Sequence, residues 1–167
     1  MSKGNPYADL LAGQPAQTVM EATPEALRAV LAEIGDANLN AHPAPGKWSP
    51  AEIVCHLADC DVAFGFRLRQ ALAEDNPTVQ PFDQEKWAAY YRGISAEQAL
   101  EAFTALRRWN LRLMEAALPS GAGRTMAHPE RGTLTFREFV ELIAGHDLNH
   151  LAQLRRIAAA GRAASQA

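Results

Sequence analysis

The chain has 167 residues, of which 48% are hydrophobic and 21% charged, with a formal net charge of -3. This is about the size of one domain, able to bury roughly 70% of the surface its unfolded form would expose, and the balance excludes both a disordered chain and a strongly single-signed electrostatic field. No basic stripe is present, and the pairs Arg107 with Arg108 and Arg155 with Arg156 alternate with apolar residues as solvated helix faces do, so nucleic acid is excluded as the expected partner.

A single domain is expected over residues 1–167, with a core from about 20 to 160 and flexible tails. The opening MSKGNPYADL has no apolar run, and no stretch approaches the roughly 18 apolar residues of a membrane span, so the expectation is a cytoplasmic protein without membrane contact. Cys55 and Cys60 stand five apart in one predicted helix, about 7.5 Å along its axis, which rules out a disulfide between them and leaves reduced, partly buried thiols.

The first predicted helix is TPEALRAVLAEIG, with Thr23 as its cap, Pro24 in the first turn and a stripe of Leu27, Val30, Leu31 and Ile34 ended by Gly35. The second starts at WSPAEI, where Ser49 and Glu52 form a capping box and Trp48 can staple onto Ile53. Its stripe is Ile53, Leu57, Cys60, Phe64, Leu68 and Leu72, and AEDNP stops it near residue 74. About twenty residues then separate it from the third helix, far more than antiparallel neighbours need, so the link allows a crossover. Trp87, Tyr90 and Tyr91 predict a short helix in that link across one end of the bundle, either covering the core or walling a pocket mouth.

The third helix begins at Ser95, boxed with Gln98, runs through Ala99, Phe103, Leu106, Asn110, Leu113 and Ala117, and is expected to close at Pro119. GTLTF fits at most a very short strand. The fourth helix follows, with Thr135 and Glu138 boxed and Leu134 stapled to Phe139, and carries Phe139, Leu142, Ile143, His146, His150 and Ile157 before Gly161. Four amphipathic helices without alternating strands predict an all-α four-helix bundle, whose sites are built from inward side chains on facing helices.

Five histidines are present, and two of them, in GHDLNHLAQL, fall four apart on the apolar face of the fourth helix. Each brings polar nitrogens that burial must satisfy, and one divalent ion satisfies both rings while keeping them neutral. The tail after His150 contains no His, Asp, Glu or Cys, so a third ligand must come from upstream. His42 and His128 sit beside prolines in loops and read as exposed, whereas His56 lies in the second helix near the edge of its buried stripe. His56 is about 10 Å past the start of its helix and His150 about 10 Å before the end of the fourth, so antiparallel helices bring them level.

WSPAEIVCHLAD followed about ninety residues later by GHDLNHLAQL resembles the DinB/YfiT-like superfamily of metalloenzymes, a likeness that covers about residues 20–160. The resemblance implies a bundle with an up-down-down-up course, a divalent metal held by His56, His146 and His150, and a homodimer. It also implies either a thiol S-transferase, joining a low-molecular-weight thiol to an electrophile, or a hydrolase acting on a small molecule. The competing implication is a stress-response protein that binds metal, or serves structurally, without turnover.

Three imidazoles with one open position suit a catalytic rather than a closed structural site, and make a thiol or a water available as nucleophile near neutral pH. Zinc or nickel is the first expectation; manganese, iron and cobalt also accept imidazole. Asp59, Asp147, Asn110 and Gln153 are the candidates to support the rings, each readable equally as a surface charge or a core amide. Cys60 is close to His56 on the helical wheel, but reads first as a small core hydrophobe. HDLNH also approaches the zinc-peptidase HExxH pattern, a reading rejected because Asp147 is shorter than glutamate and the tail holds no further ligand. Leu148, opposite the histidine face of the fourth helix, and Leu151, which lies between, offer apolar surface for either a second subunit or the first helix.

Overall fold

The computed structural model describes residues 5–165; the end residues outside that range belong to the tails expected to be flexible. Helices α1 (Ala8–Leu11), α2 (Ala16–Ile34), α3 (Pro50–Ala73), α4 (Gln84–Ala88), α5 (Ala96–Gly121) and α6 (Phe136–Ser165) are joined by a hairpin of β1 (Thr125–His128) and β2 (Gly132–Thr135). The protein is a four-helix bundle of α2, α3, α5 and α6. No helix among the described residues is long and apolar enough to cross a membrane.

Three of the helix starts are built as the local sequence dictates. Ser49 with Glu52, Ser95 with Gln98, and Thr135 with Glu138 each exchange reciprocal hydrogen bonds between side chain and backbone, satisfying two otherwise orphaned N–H groups apiece. The start of α2 differs from expectation. That helix begins at Ala16, behind Pro15, so Thr23 is not a cap: it is buried mid-helix, its hydroxyl 2.8 Å from the Val19 carbonyl and 3.2 Å from Asp147 Oδ2. Pro24 therefore sits inside a helix, and the Met20 carbonyl it cannot bond accepts instead from Arg107 on α5 at 3.3 Å.

Two other boundaries also move. The α5 helix continues past Pro119 to Gly121, because the carbonyl left free, four residues back, belongs to the exposed Glu115 in the last turn. The α6 helix passes Gly161, where no left-handed cap forms, and Arg162 pairs with Glu33 at the end of α2. The short strand at Gly132–Thr135 is present, and its partner Thr125–His128, which the sequence did not signal, pairs with it from Thr125 opposite Thr135 to His128 opposite Gly132.

Contact pairs fix the helix directions. Asp61 meets Arg107 and Leu72 packs at Gly121, so α3 and α5 run parallel; Thr23 meets Asp147 and Glu33 meets Arg162, so α2 and α6 do too. His56 lies beside His150 and Phe64 beside Phe139, which makes α3 and α6 antiparallel. The course is up, down, down, up. In the segment between α3 and α5, Val79 bonds to β1, and Ala88 and Tyr91 then pack near the start of α3.

The core is divided. One apolar cluster joins the late parts of α2 and α6 (Leu31, Leu154) to the early parts of α3 and α5 (Ile53, Phe103). The other joins Met20, Phe64, Met114 and Phe139 from the opposite ends. Between the two lies a belt of buried polar groups at mid-height: Thr23, His56, Asp61, Arg107, Asn110, His146, Asp147 and His150. Such groups persist in an interior only when they satisfy one another or a ligand.

Candidate metal centre

One half of the belt is self-satisfied. The Arg107 guanidinium, 1% exposed, is held between the carboxylates of Asp61 and Asp147 and stacks over the Phe103 ring at 4.6 Å. Burial pulls its pKa down, but the two carboxylates outweigh that and hold it up, so the cation is retained. Asn110 Nδ2 donates to the Asp61 carbonyl at 2.9 Å and to Oδ1 at 3.0 Å, while its Oδ1 accepts from Arg69 at 2.9 Å. A side chain at Gly65 would collide with that amide, since its Cβ would stand 2.4 Å from Asn110 Oδ1; glycine there lets α5 close on α3.

The other half is not self-satisfied. His56 Nε2 is 3.3 Å from His146 Nε2, and His150 Nε2 is 3.1 Å from the same atom. His150 donates from Nδ1 to Gln153 Oε1 at 3.1 Å, which leaves its Nε2 as a bare acceptor. His146 Nδ1 is buried without a partner among the described residues, so the polar requirement of that ring falls on Nε2. One proton can serve two of these three nitrogens, whereas one cation can serve all of them.

The geometry suits a metal ion. Donor atoms of His56, His146 and His150 lie within 4.8 Å of one another, and neighbouring nitrogens on a tetrahedral zinc are about 3.4 Å apart at bond lengths of about 2.0–2.1 Å. Burial, with smaller contributions from neighbouring rings, lowers the pKa of His56 to about 3 and that of His146 well below its ordinary value. His150 is lowered by burial as well. All three rings are thus kept neutral, as ligands must be.

Of the four supporting candidates, the structure brings Gln153 to a histidine and engages the rest elsewhere. Asp59 accepts from the Tyr91 hydroxyl at 2.8 Å, and Asp147 and Asn110 belong to the arginine cluster. Asp147 also faces away from the position a peptidase base would need. Cys55 and Cys60 are free, buried thiols, and Cys60 Sγ lies 3.5 Å from His56 Nε2 at the edge of the cluster.

A cavity of about 430 Å³ lies beside the rings, lined by His56, His146, Cys60 and Phe64 and also by Arg67, Phe82, His128 and Arg131. His128, expected in the open, is buried at the end of β1, because the hairpin folds that end over the bundle. The link contributes Pro81–Gln84, with Phe82, to the cavity wall, but not Trp87, Tyr90 or Tyr91: Tyr91 is buried in the core, Trp87 stacks on Phe82 at 4.6 Å, and Tyr90 is exposed. Sequence reasoning missed Arg107, which reads with Arg108 as a charge on a solvated face, and did not single out Arg67. Leu151 is buried and Leu148 packs in the second apolar cluster, so the first helices cover this face of α6.

A bundle whose buried mid-section converges three imidazoles, two of them lining an adjacent cavity, defines a class of helical proteins with a donor set fit for a divalent ion. The chain belongs to the DinB superfamily, whose profile matches residues 20–154. It is 28% identical over 136 residues to a "Putative metal-dependent hydrolase" of Oceanobacillus iheyensis, covering 81% of this chain and 79% of that protein. It is 32% identical to a protein of the same name from Geobacillus thermodenitrificans, covering 78% and 75%. Among solved structures it superimposes on YfiT from Bacillus subtilis, described as "a probable metal-dependent hydrolase with an unusual four-helix bundle topology", with a TM-score of 0.79 at 21% identity, covering 85% of this chain and 83% of that one.

Proposed function

We propose that the protein is a metal-dependent hydrolase of a small molecule, with His56, His146 and His150 as the ligands. The observation that carries this is the meeting of three imidazoles, with His56 Nε2 and His150 Nε2 both against His146 Nε2 and no other group among the described residues shared by all three. A divalent ion, zinc or nickel first, supplies Lewis acidity that makes a water or a thiol nucleophilic near neutral pH. The residues do the rest. Gln153 fixes the proton of His150 on Nδ1, burial keeps the rings uncharged, and the apolar floor of Phe64 and Phe139 limits water at the reacting end of the cavity.

The test is metal titration followed by turnover. Wild type should take up one equivalent of zinc or nickel, His146→Ala should lose it, and the loaded protein should hydrolyse members of an ester and amide panel. A conjugate formed with bacillithiol, mycothiol or glutathione and a model electrophile would replace hydrolysis by thiol transfer. Uptake without turnover in either assay would leave a non-catalytic metal-binding protein.

A further inference from the structure

Arg67 lies on the same stripe of α3 as His56, Cys60 and Phe64, and the residue is 5% exposed. Its one hydrogen bond among the described residues runs from Nη2 to the Gln80 carbonyl at 2.5 Å, and no carboxylate pairs with it. This contrasts with Arg107, which has two. A buried guanidinium without a counter-ion is costly, and a role limited to pinning the link at Gln80 needs a single donor, not a full positive charge. Burial lowers its pKa and outweighs the opposing pull of Cys60 and Glu130, so no neighbour offsets the cost of burying the cation.

The surroundings of Arg67 resemble a receptor site. Phe64 and Phe82 flank the guanidinium carbon at 5.8 and 5.5 Å, a partial compensation through the faces of the group, whereas a planar or tetrahedral oxyanion is recognised through its in-plane N–H edges. Arg67 lines the same cavity as His56 and His146. The carboxylates on the same wall do not neutralise it. Asp83 accepts from the backbone N–H groups of Glu85 and Lys86 at the start of α4, and Glu130 is exposed. His128 accepts from the Glu130 N–H at Nδ1, which leaves its Nε2 as a further donor. Phe64 also measures the spacing, since its ring is 5.7 Å from that of His146, so guanidinium and imidazole are separated by no more than this distance and the one to Arg67 together.

We propose that Arg67 is the recognition group for an oxyanion on the substrate, a carboxylate or phosphate carried within reach of the bond that reacts at the histidines. The assignment rests on the metal-dependent reading for its catalytic meaning, though not for its binding.

Titration calorimetry of the full chain, metal-free and zinc-loaded, with inorganic phosphate and separately with benzoate tests it and tells the two oxyanions apart. Wild type should bind at least one of them in both states, and Arg67→Gln should weaken that binding at least tenfold while its zinc affinity stays unchanged. Arg67→Lys, which keeps the charge without the fork, should fall between the two and guards against a folding defect in the first variant. Equal anion affinity in wild type and both variants would overturn the proposal, as would failure of both anions to bind wild type. Anion binding lost in His146→Ala but kept in Arg67→Gln would also overturn it, placing the anion at the histidines. Should zinc not bind wild type while the Arg67 dependence holds, the metal reading fails and the oxyanion site stands.

Discussion

His146 and Asp147 are neighbours in the chain, yet one side chain joins the three-imidazole cluster and the other clamps Arg107. Successive residues on a helix project about 100° apart, so the ion pair on one side fixes the rotation of α6 that aims the imidazole on the other. Asp147→Ala removes one of two carboxylates from a buried cation. It is expected to destabilise the protein by about 3–5 kcal/mol and, because α6 is then free to turn, to weaken zinc binding at least tenfold. Denaturant unfolding and zinc titration measure the two effects on the same sample.

The bond from Arg107 to the Met20 carbonyl exists because Pro24 offers that carbonyl no donor. Pro24→Ala would restore an intrahelical bond and make the arginine's reach to α2 redundant. Arg107→Met should therefore cost less stability in the Pro24→Ala background than in wild type, with a coupling of about 1 kcal/mol. A double-mutant cycle in urea reads this directly, and the change in unfolded-chain entropy at position 24 cancels from it.

Acid should weaken the metal-free fold well above the pH at which carboxylates titrate. His56 has an ordinary pKa of 6.5 in the unfolded chain and about 3 in the fold, and the other two cluster histidines are shifted in the same direction. Between those limits the unfolded chain binds protons that the folded one refuses. Stability is thus full above pH 6.5 and is lost as pH falls toward 3, by up to about 1.4 kcal/mol per pH unit for each such ring. Urea midpoints taken between about pH 5 and pH 7 would show this slope, and His56→Phe should reduce it.

Gly145 sits where the backbone at Tyr7 lies against α6. A Cβ there would stand 2.5 Å from Tyr7 Cβ and 2.9 Å from its carbonyl oxygen. Alanine gains about 1 kcal/mol in helix propensity, but the clash involves backbone that cannot swing aside. Gly145→Ala is expected to detach residues 5–11 and to remove Tyr7 from the cavity wall, visible as faster amide exchange there without loss of the four main helices.

The local signals were the readable ones. Capping boxes need only residues three apart, so Ser49, Ser95 and Thr135 marked their helices, and two histidines four apart on an oily face declared a shared purpose. His56 followed from its depth along its own helix. What stayed hidden depends on partners far away in sequence. Arg107 beside Arg108 looks like any solvated pair until Asp61 and Asp147 arrive from two other helices, and Pro24 looks like a helix start until α5 supplies the bond it lacks. His128 looked exposed because the hairpin that buries it pairs four-residue strands, too short to show a period.

The polar belt acts as a mechanical stop. Either apolar half alone would tolerate a slide of one helix past another by a single turn, about 5.4 Å, since leucine meets leucine in both settings. With the belt in place, the same slide would strand a guanidinium among methyl groups and leave two carboxylates facing oil. Axial alignment of the three rings is thereby guarded by residues that never touch them, and redesign of either oily half should leave the aim of the site intact.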